Sequence, residues 1–401
     1  MTHLAATKLA ATGPAHAFVP RNASKLAAYE RGFSLGSLFK TASAGILTAR
    51  DALSIDHDRD ALWARMNDIV ATDVDTLRRR YSVGDDSRSW SLQNAKADVT
   101  ENLDGKRICR VVHRPLDLRW TFYTGTTKGL HFFPADKVSD SLFAGDTLAL
   151  LTPKQTKEQS GAFVIDTIAT HKSYSAYDIT SVMPLYVTAR PEKAGQKRIA
   201  ELGRALNFDA EIYAAICNAA GLKPSPDAGT GDGFRTATGG ARPSEVQVFD
   251  YIYAVLHSPA YRETYAQFLK IDFPRIPYPL DPATFAIFSQ KGEALRRLHL
   301  MEPAAIGETP YPYCGEGDDT VTSGYPKFDK GRVSINAEQY FDVVPAVAWN
   351  LHIGGYQPAQ KWLKDRRGRI LSWDDISHYQ RLVKILAETD KIMREITHPL
   401  E

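Results

Sequence analysis

Cysteine is scarce: there are three in 401 residues, at Cys109, Cys217 and Cys314. They lie far apart, and none belongs to a Cys-x-x-Cys pair or to a Cys/His spacing that would hold zinc. A disulfide framework is excluded, which suits a reducing interior. Net charge is equally scarce, since 49 Lys+Arg against 47 Asp+Glu leave a formal +2. No whole-chain field therefore argues for a polyanionic partner; only local clustering can. No apolar run approaches the ~18 residues of a membrane span. The Ala/Thr-rich start, Met1 to Ala10, lacks the apolar core of a signal peptide. The expectations are no membrane partner and a cytoplasmic location. At 43% hydrophobic and 24% charged residues, the chain has an ordinary globular composition and length for two or three compact units.

What the chain does have is one dense stretch near its C-terminus. Lys361-Trp-Leu-Lys-Asp-Arg-Arg-Gly-Arg369 carries five cations (Lys361, Lys364, Arg366, Arg367, Arg369) and one acid, Asp365. Trp349, Tyr356, Trp362 and Trp373 are interleaved with them or flank them. Guanidinium forks match phosphate oxygens and guanine edges, and flat rings stack on bases or on Arg. The competing reading is a solvated helix end whose tryptophans anchor a core, the usual role of a charge run.

Periodicity divides the rest. Asp58 to Ile69, Val74 to Tyr81 behind Asp73, and Ser91 to Asn102 have helical spacing or caps. From Arg107 to Val187 the pattern changes to short β runs: Ile108–Val112, Trp120–Tyr123, His131–Phe133, Leu148–Leu151, Phe163–Ile165 and Pro184–Val187, separated by turn residues. Glu211 to Ala220 reads as a helix closed by Gly221. Gly229-x-Gly231-x-Gly233 follows it and a Pro pair rather than a strand, so a connection is favoured over a nucleotide loop. Ser244 to Leu256, with Ser244 as N-cap and Val248, Ile252, Val255 and Leu256 as core face, is a helix. Tyr261 to Leu269, Phe285 to Leu300 and Trp373 to Ile396 are further helices. The fold class expected is α+β, a β-rich mixed-sheet lobe plus helical segments. The division expected is a leading segment over 1–50, the lobe with its N-terminal helices over 51–190, linker and helices over 191–300, and a C-terminal segment over 301–401.

Several stretches in order resemble one family: Gly45-Ile-Leu-Thr-Ala-Arg-Asp51, His113-Arg-Pro-Leu-Asp-Leu-Arg119 with Phe122-Tyr-Thr-Gly125, and Met183-Pro-Leu-Tyr186. Then come Phe249 to Arg262, Asp272-Phe-Pro-Arg-Ile-Pro277, Trp349-Asn-Leu-His-Ile-Gly-Gly-Tyr356 and Lys361 to Arg369. Together they are similar to the C-terminal specificity region of type ISP restriction–modification enzymes and related adenine-specific DNA methyltransferases. The resemblance implies a target-recognition domain whose partner is double-stranded DNA. It also implies a methyltransferase core, in the same parent polypeptide or a separate chain. That core would carry S-adenosylmethionine, and no cofactor is expected in this chain. The family's Asn-Pro-Pro-Tyr tetrapeptide, a strand-flanked glycine motif and a Gly-x-x-x-x-Gly-Lys-[Ser/Thr] loop are missing from the sequence. The chain resembles the reader without the chemistry, so whether it is itself an enzyme stays open.

Candidate DNA contacts follow from what reading needs: cations and hydroxyls for phosphate, forked donors for base edges. In the β-rich lobe these are Arg114, Arg119, Thr126, Thr127, Lys128, Lys154 and Gln155; near the C-terminus they are Lys361, Lys364, Arg366, Arg367 and Arg369. Arg114 and Arg119 flank Asp117, so a buried ion-pair network competes with DNA contact there. His257-Ser258-Pro259 lacks the third group of a triad, and Ser258 is better read as a helix cap. Asp318-Asp319 and Asp374-Asp375 are adjacent acids that point apart, which argues against a metal site. Two rivals remain, a complete enzyme with an unrecognised site and a protein-interaction scaffold.

Overall fold

A computed structural model describes residues 23–145, 147–158, 161–188, 203–225 and 237–397. The leading residues up to 22, and the glycines at 229, 231 and 233, lie outside the described residues. The chain is α+β, as its patterning predicts. One four-stranded antiparallel sheet runs Ser43–Ala44, Thr180–Pro184, Ala149–Pro153 and Phe163–Ile165 in spatial order. A second runs Ile55–Asp56, Asp117–Phe122, Ile108–Arg114 and Ile168–Ala169. It is mixed, because Ile108–Arg114 pairs parallel with Ile168–Ala169 and antiparallel with Asp117–Phe122. A third antiparallel sheet joins Tyr313–Cys314, Tyr340–Phe341, Arg332–Ser334 and Lys327–Asp329.

The first sheet explains the continuous apolar runs. Side chains alternate across a strand, so Ala149, Leu151, Phe163, Ile165 and Val182 face one hydrophobic cluster. Leu148, Leu150, Val164 and Met183 face another. Strands buried on both faces lose their polar alternation. The first cluster continues into the C-terminal helix Trp373–Glu395 through Tyr379, Leu382 and Leu386. The second holds the helices Ser244–His257 and Pro282–His299. A third packs Leu62, Met66, Leu77, Leu92 and Val99 of the N-terminal helices against Ile108 and Phe122.

Helix starts follow their caps. Asp58 accepts from Ala61 N ahead of Arg59–Ala71, Asp73 from Thr76 N ahead of Val74–Arg80, and Ser91 from Asn94 N ahead of Leu92–Glu101. Ala210–Ala220 ends at Gly221 with φ +67°, a left-handed cap that suits glycine. Ser258 caps Pro259–Thr264 through Tyr261 N. Three readings are corrected. Ser244 lies inside its helix behind Pro243, and its hydroxyl bonds Tyr213 and Ser225 instead. The helix expected over Tyr261 to Leu269 stops at Thr264. In the His131–Phe133 run only Phe133 makes a β bridge, to Leu47.

Candidate nucleic-acid interface

Asp117 opens the second strand of a hairpin and is 2% exposed. Its carboxylate accepts from Arg119 Nη2 at 2.8 Å and Arg366 Nη2 at 3.2 Å, and His113 Nδ1 lies 3.6 Å away. Arg119 also reaches Asp365 at 3.3 Å, and Arg366 reaches Asp375 at 3.4 Å. One buried acid thus ties the hairpin to the turn after the helix Pro358–Lys364 and to the first turn of Trp373–Glu395. Burial alone would raise the Asp117 carboxyl. The His113 contact and the charges of Arg366 and Arg119 overcome it and hold the group well below the usual carboxylate range. Ligand atoms of His113, Asp117 and Asp365 come within 4.8 Å of one another. Two guanidiniums already neutralise these carboxylates, so the cluster is an ion-pair hub rather than a cation site.

Beside the hub lies a cleft of about 570 Å³. On the paired strands Arg110 stands opposite Trp120 and Val112 opposite Leu118; Arg110, Leu118 and Trp120 line the cleft. The Arg110 guanidinium stacks 3.9 Å from the Trp120 ring. His57 and Arg59 come from the start of the helix Arg59–Ala71. Trp362, Arg366, Arg369, Ile370, His378 and Arg381 come from the C-terminal stretch and helix. Trp362 is 2% exposed, carries Arg366 at 3.4 Å from its ring and stacks on His378 at 5.2 Å. Five arginines and three aspartates line the whole. Burial first, then the charges of Arg119, Arg366 and Arg369, push the His57 pKa down to about 3. Burial likewise lowers His378 to about 4, while its Nε2–H donates to Leu116 O at 2.9 Å. Ile370, one of the lining residues, is 65% exposed, and Trp373, between the lining residues Ser372 and Asp374 in sequence, is 76% exposed.

Residues 37–395 match the family model described as the Type ISP C-terminal specificity domain. The chain belongs to that family. Among solved structures, this type ISP specificity domain is similar to "ATP-dependent Type ISP restriction-modification enzyme LlaBIII bound to DNA". The TM-score is 0.66 and identity 15%, over 94% of this chain and 25% of that one. It is similar to the "DrdV-DNA complex", with TM-score 0.65 and identity 19%, over 91% of this chain and 36% of that one. It is also similar to a nuclease-deletion mutant of LlaGI in complex with a DNA substrate mimic, with TM-score 0.60 and identity 16%, over 94% and 29%. Likeness at such identities establishes the fold. The domain spans between a quarter and just over a third of those chains. No curated protein matches it. Among its described residues no helix is long and apolar enough to cross a membrane.

Within the specificity domain the candidates named from sequence divide by environment. Arg119 and Arg366 sit in the carboxylate hub. Arg114 stacks 4.9 Å from the Tyr356 ring and donates to His113 O rather than to Asp117. Lys361 pairs with Asp365, Lys364 with Gln360, and Arg367 donates to Tyr325 O. Thr126, Thr127 and Lys128 are exposed on a loop whose Thr124 bonds Asp98 at 3.0 Å. Lys154 and Gln155 are exposed directly after the strand Ala149–Pro153, with Lys154 3.8 Å from Asp272. Of all twelve, the cleft gathers Arg366 and Arg369. His57, Arg59, Arg110, Trp120 and Arg381 were missed. One signal was there: Arg110 is a cation in an otherwise apolar strand run.

Proposed function

We propose that this domain selects a site on duplex DNA for a restriction–modification enzyme. An N6-adenine methyltransferase core, carried by the same polypeptide or a separate chain, then acts on a flipped adenine. S-adenosylmethionine would belong to that core. The observation that carries the reading is the arginine- and tryptophan-lined cleft in a chain of the type ISP specificity family. Three of its relatives by fold are described as bound to DNA or a DNA substrate mimic. The hydroxyl-rich loop at Thr126, Thr127 and Lys128, with Lys154, Gln155 and the exposed Lys364 and Arg367, supplies further phosphate or base contacts.

The test is selection from a pool of random duplexes. Retained DNA should converge on one short consensus, and duplexes recovered without a consensus would contradict sequence reading. If no duplex is retained while a methyltransferase core still co-purifies, the domain is a docking scaffold. In the same preparation, labelled S-adenosylmethionine and duplex should give no methyl transfer. Incorporation above background would mean a complete methyltransferase.

A further inference from the structure

We propose that the cleft lined by Trp120, Trp362, Arg110 and Arg369 is a phosphate-binding site. Resting on the duplex-recognition reading above, we assign it a backbone phosphate of the DNA. Several of its polar groups lack a partner among the described residues. Trp362 Nε1 is buried with no hydrogen-bond partner among the described residues, and Trp362 lines the cleft. His57 Nδ1, in another lining residue, is also buried with no hydrogen-bond partner among the described residues. A buried donor without an acceptor is costly, and sites that tolerate one are completed by a ligand or ordered water. Arg110 and Arg369 form no ion pair with any described residue, whereas Arg366 is held between Asp117 and Asp375.

Two of the cleft's three carboxylates are already committed. Asp58 caps its helix through Ala61 N, and Asp375 closes a capping box with Ser372 while pairing with Arg366. Asp374 is exposed at the mouth. The interior therefore offers guanidinium and N–H donors without a free buried acid. A metal cation would meet the charges of Arg366 and Arg369, with Arg119 close by; these add to burial in holding the His57 pKa down. A phosphate brings several acceptor oxygens and negative charge, and guanidinium matches it in geometry. A cavity of about 570 Å³ holds that group with room for the adjoining sugars. The Trp120 and Trp362 rings are braced by Arg110 and Arg366, so the walls are set before the ligand arrives.

Indole N–H signals of the six tryptophans provide the test, with the Trp362 signal assigned through Trp362→Phe. The full chain is titrated with a short duplex and, separately, with inorganic phosphate. Duplex affinity is measured across a salt series for the wild type, Arg110→Ala and Arg369→Ala, each confirmed folded by circular dichroism. The expected result is a duplex-induced shift of the Trp362 signal. Each arginine variant should lose roughly 3- to 10-fold in affinity for every sequence alike, with the salt slope reduced by about one. Wild-type duplex binding with a static Trp362 signal and unaffected variants would overturn the phosphate site and leave the recognition reading standing. A loss confined to some sequences would make these arginines base readers and also overturn it. If inorganic phosphate moves the Trp362 signal but no duplex binds, phosphate chemistry stands with a free anion as its source, and DNA recognition fails.

Discussion

Replacing Asp117 by Asn leaves the Arg366 and Arg119 guanidiniums facing a neutral amide in a buried hub. Breaking a buried pair from one side costs roughly 3–5 kcal/mol, because the remaining charge has lost its solvent and its partner. Urea denaturation at neutral pH should report a loss of that order. The pH dependence has a definite sign. The folded-state pKa of Asp117 is depressed below 3.8, so its contribution is fully present above that value and is lost as pH falls through the folded pKa. The gap between wild type and Asp117→Asn should stay level from pH 8 to pH 5 and narrow below about pH 4. An equal gap at pH 3 would mean that the carboxylate charge is not what holds the hub. The sequence placed Arg119 beside Asp117 and left ion pair and DNA contact both open. It gave no sign that Arg366, 249 positions away, is the second partner.

At the scale of elements, the crossing of Ser244–His257 and Pro282–His299 turns on Gly292. A Cβ there would lie 1.8 Å from the backbone oxygen of Asp250. Glycine inside a helix costs about 1 kcal/mol relative to alanine, so propensity alone predicts that Gly292→Ala stabilises. The close approach predicts the opposite, a loss of roughly 1–3 kcal/mol or more as the helices separate. Thermal or urea denaturation decides the sign. Legibility divides along the same line between local and distant causes. Asp58, Asp73, Ser91 and Gly221 mark helix ends in sequence because caps act within a few residues. Ser244–His257 reads as a one-faced helix, yet nearly all its side chains are buried. Asp250 is tolerated at its centre because Arg242 and Arg296, from outside that helix, pair with it. The cleft was legible only where its cations cluster locally, at Lys361 to Arg369. Arg110, Trp120, His57 and Arg381 reach it through sheet pairing and helix packing that no local window contains.

At the scale of the whole molecule, a formal charge of +2 gives no long-range pull on a polyanion. The duplex recognition proposed above would therefore rest on placement: a lined cleft beside the hub, and exposed cations at Lys128, Lys154, Lys364 and Arg367. Residues 37–395 form the family unit, and about a quarter to a third of the larger solved enzymes corresponds to it. On the proposed reading, duplex affinity is carried by phosphate contacts and selectivity by a few groove-facing side chains. The most direct measurement is the affinity of the chain for duplex DNA as a function of salt. Each neutralised phosphate contributes about −0.9 to the slope of log K against log salt, so about five to eight contacts predict a slope of roughly −4.5 to −7. A slope near zero, or no duplex binding at low salt, would contradict the account.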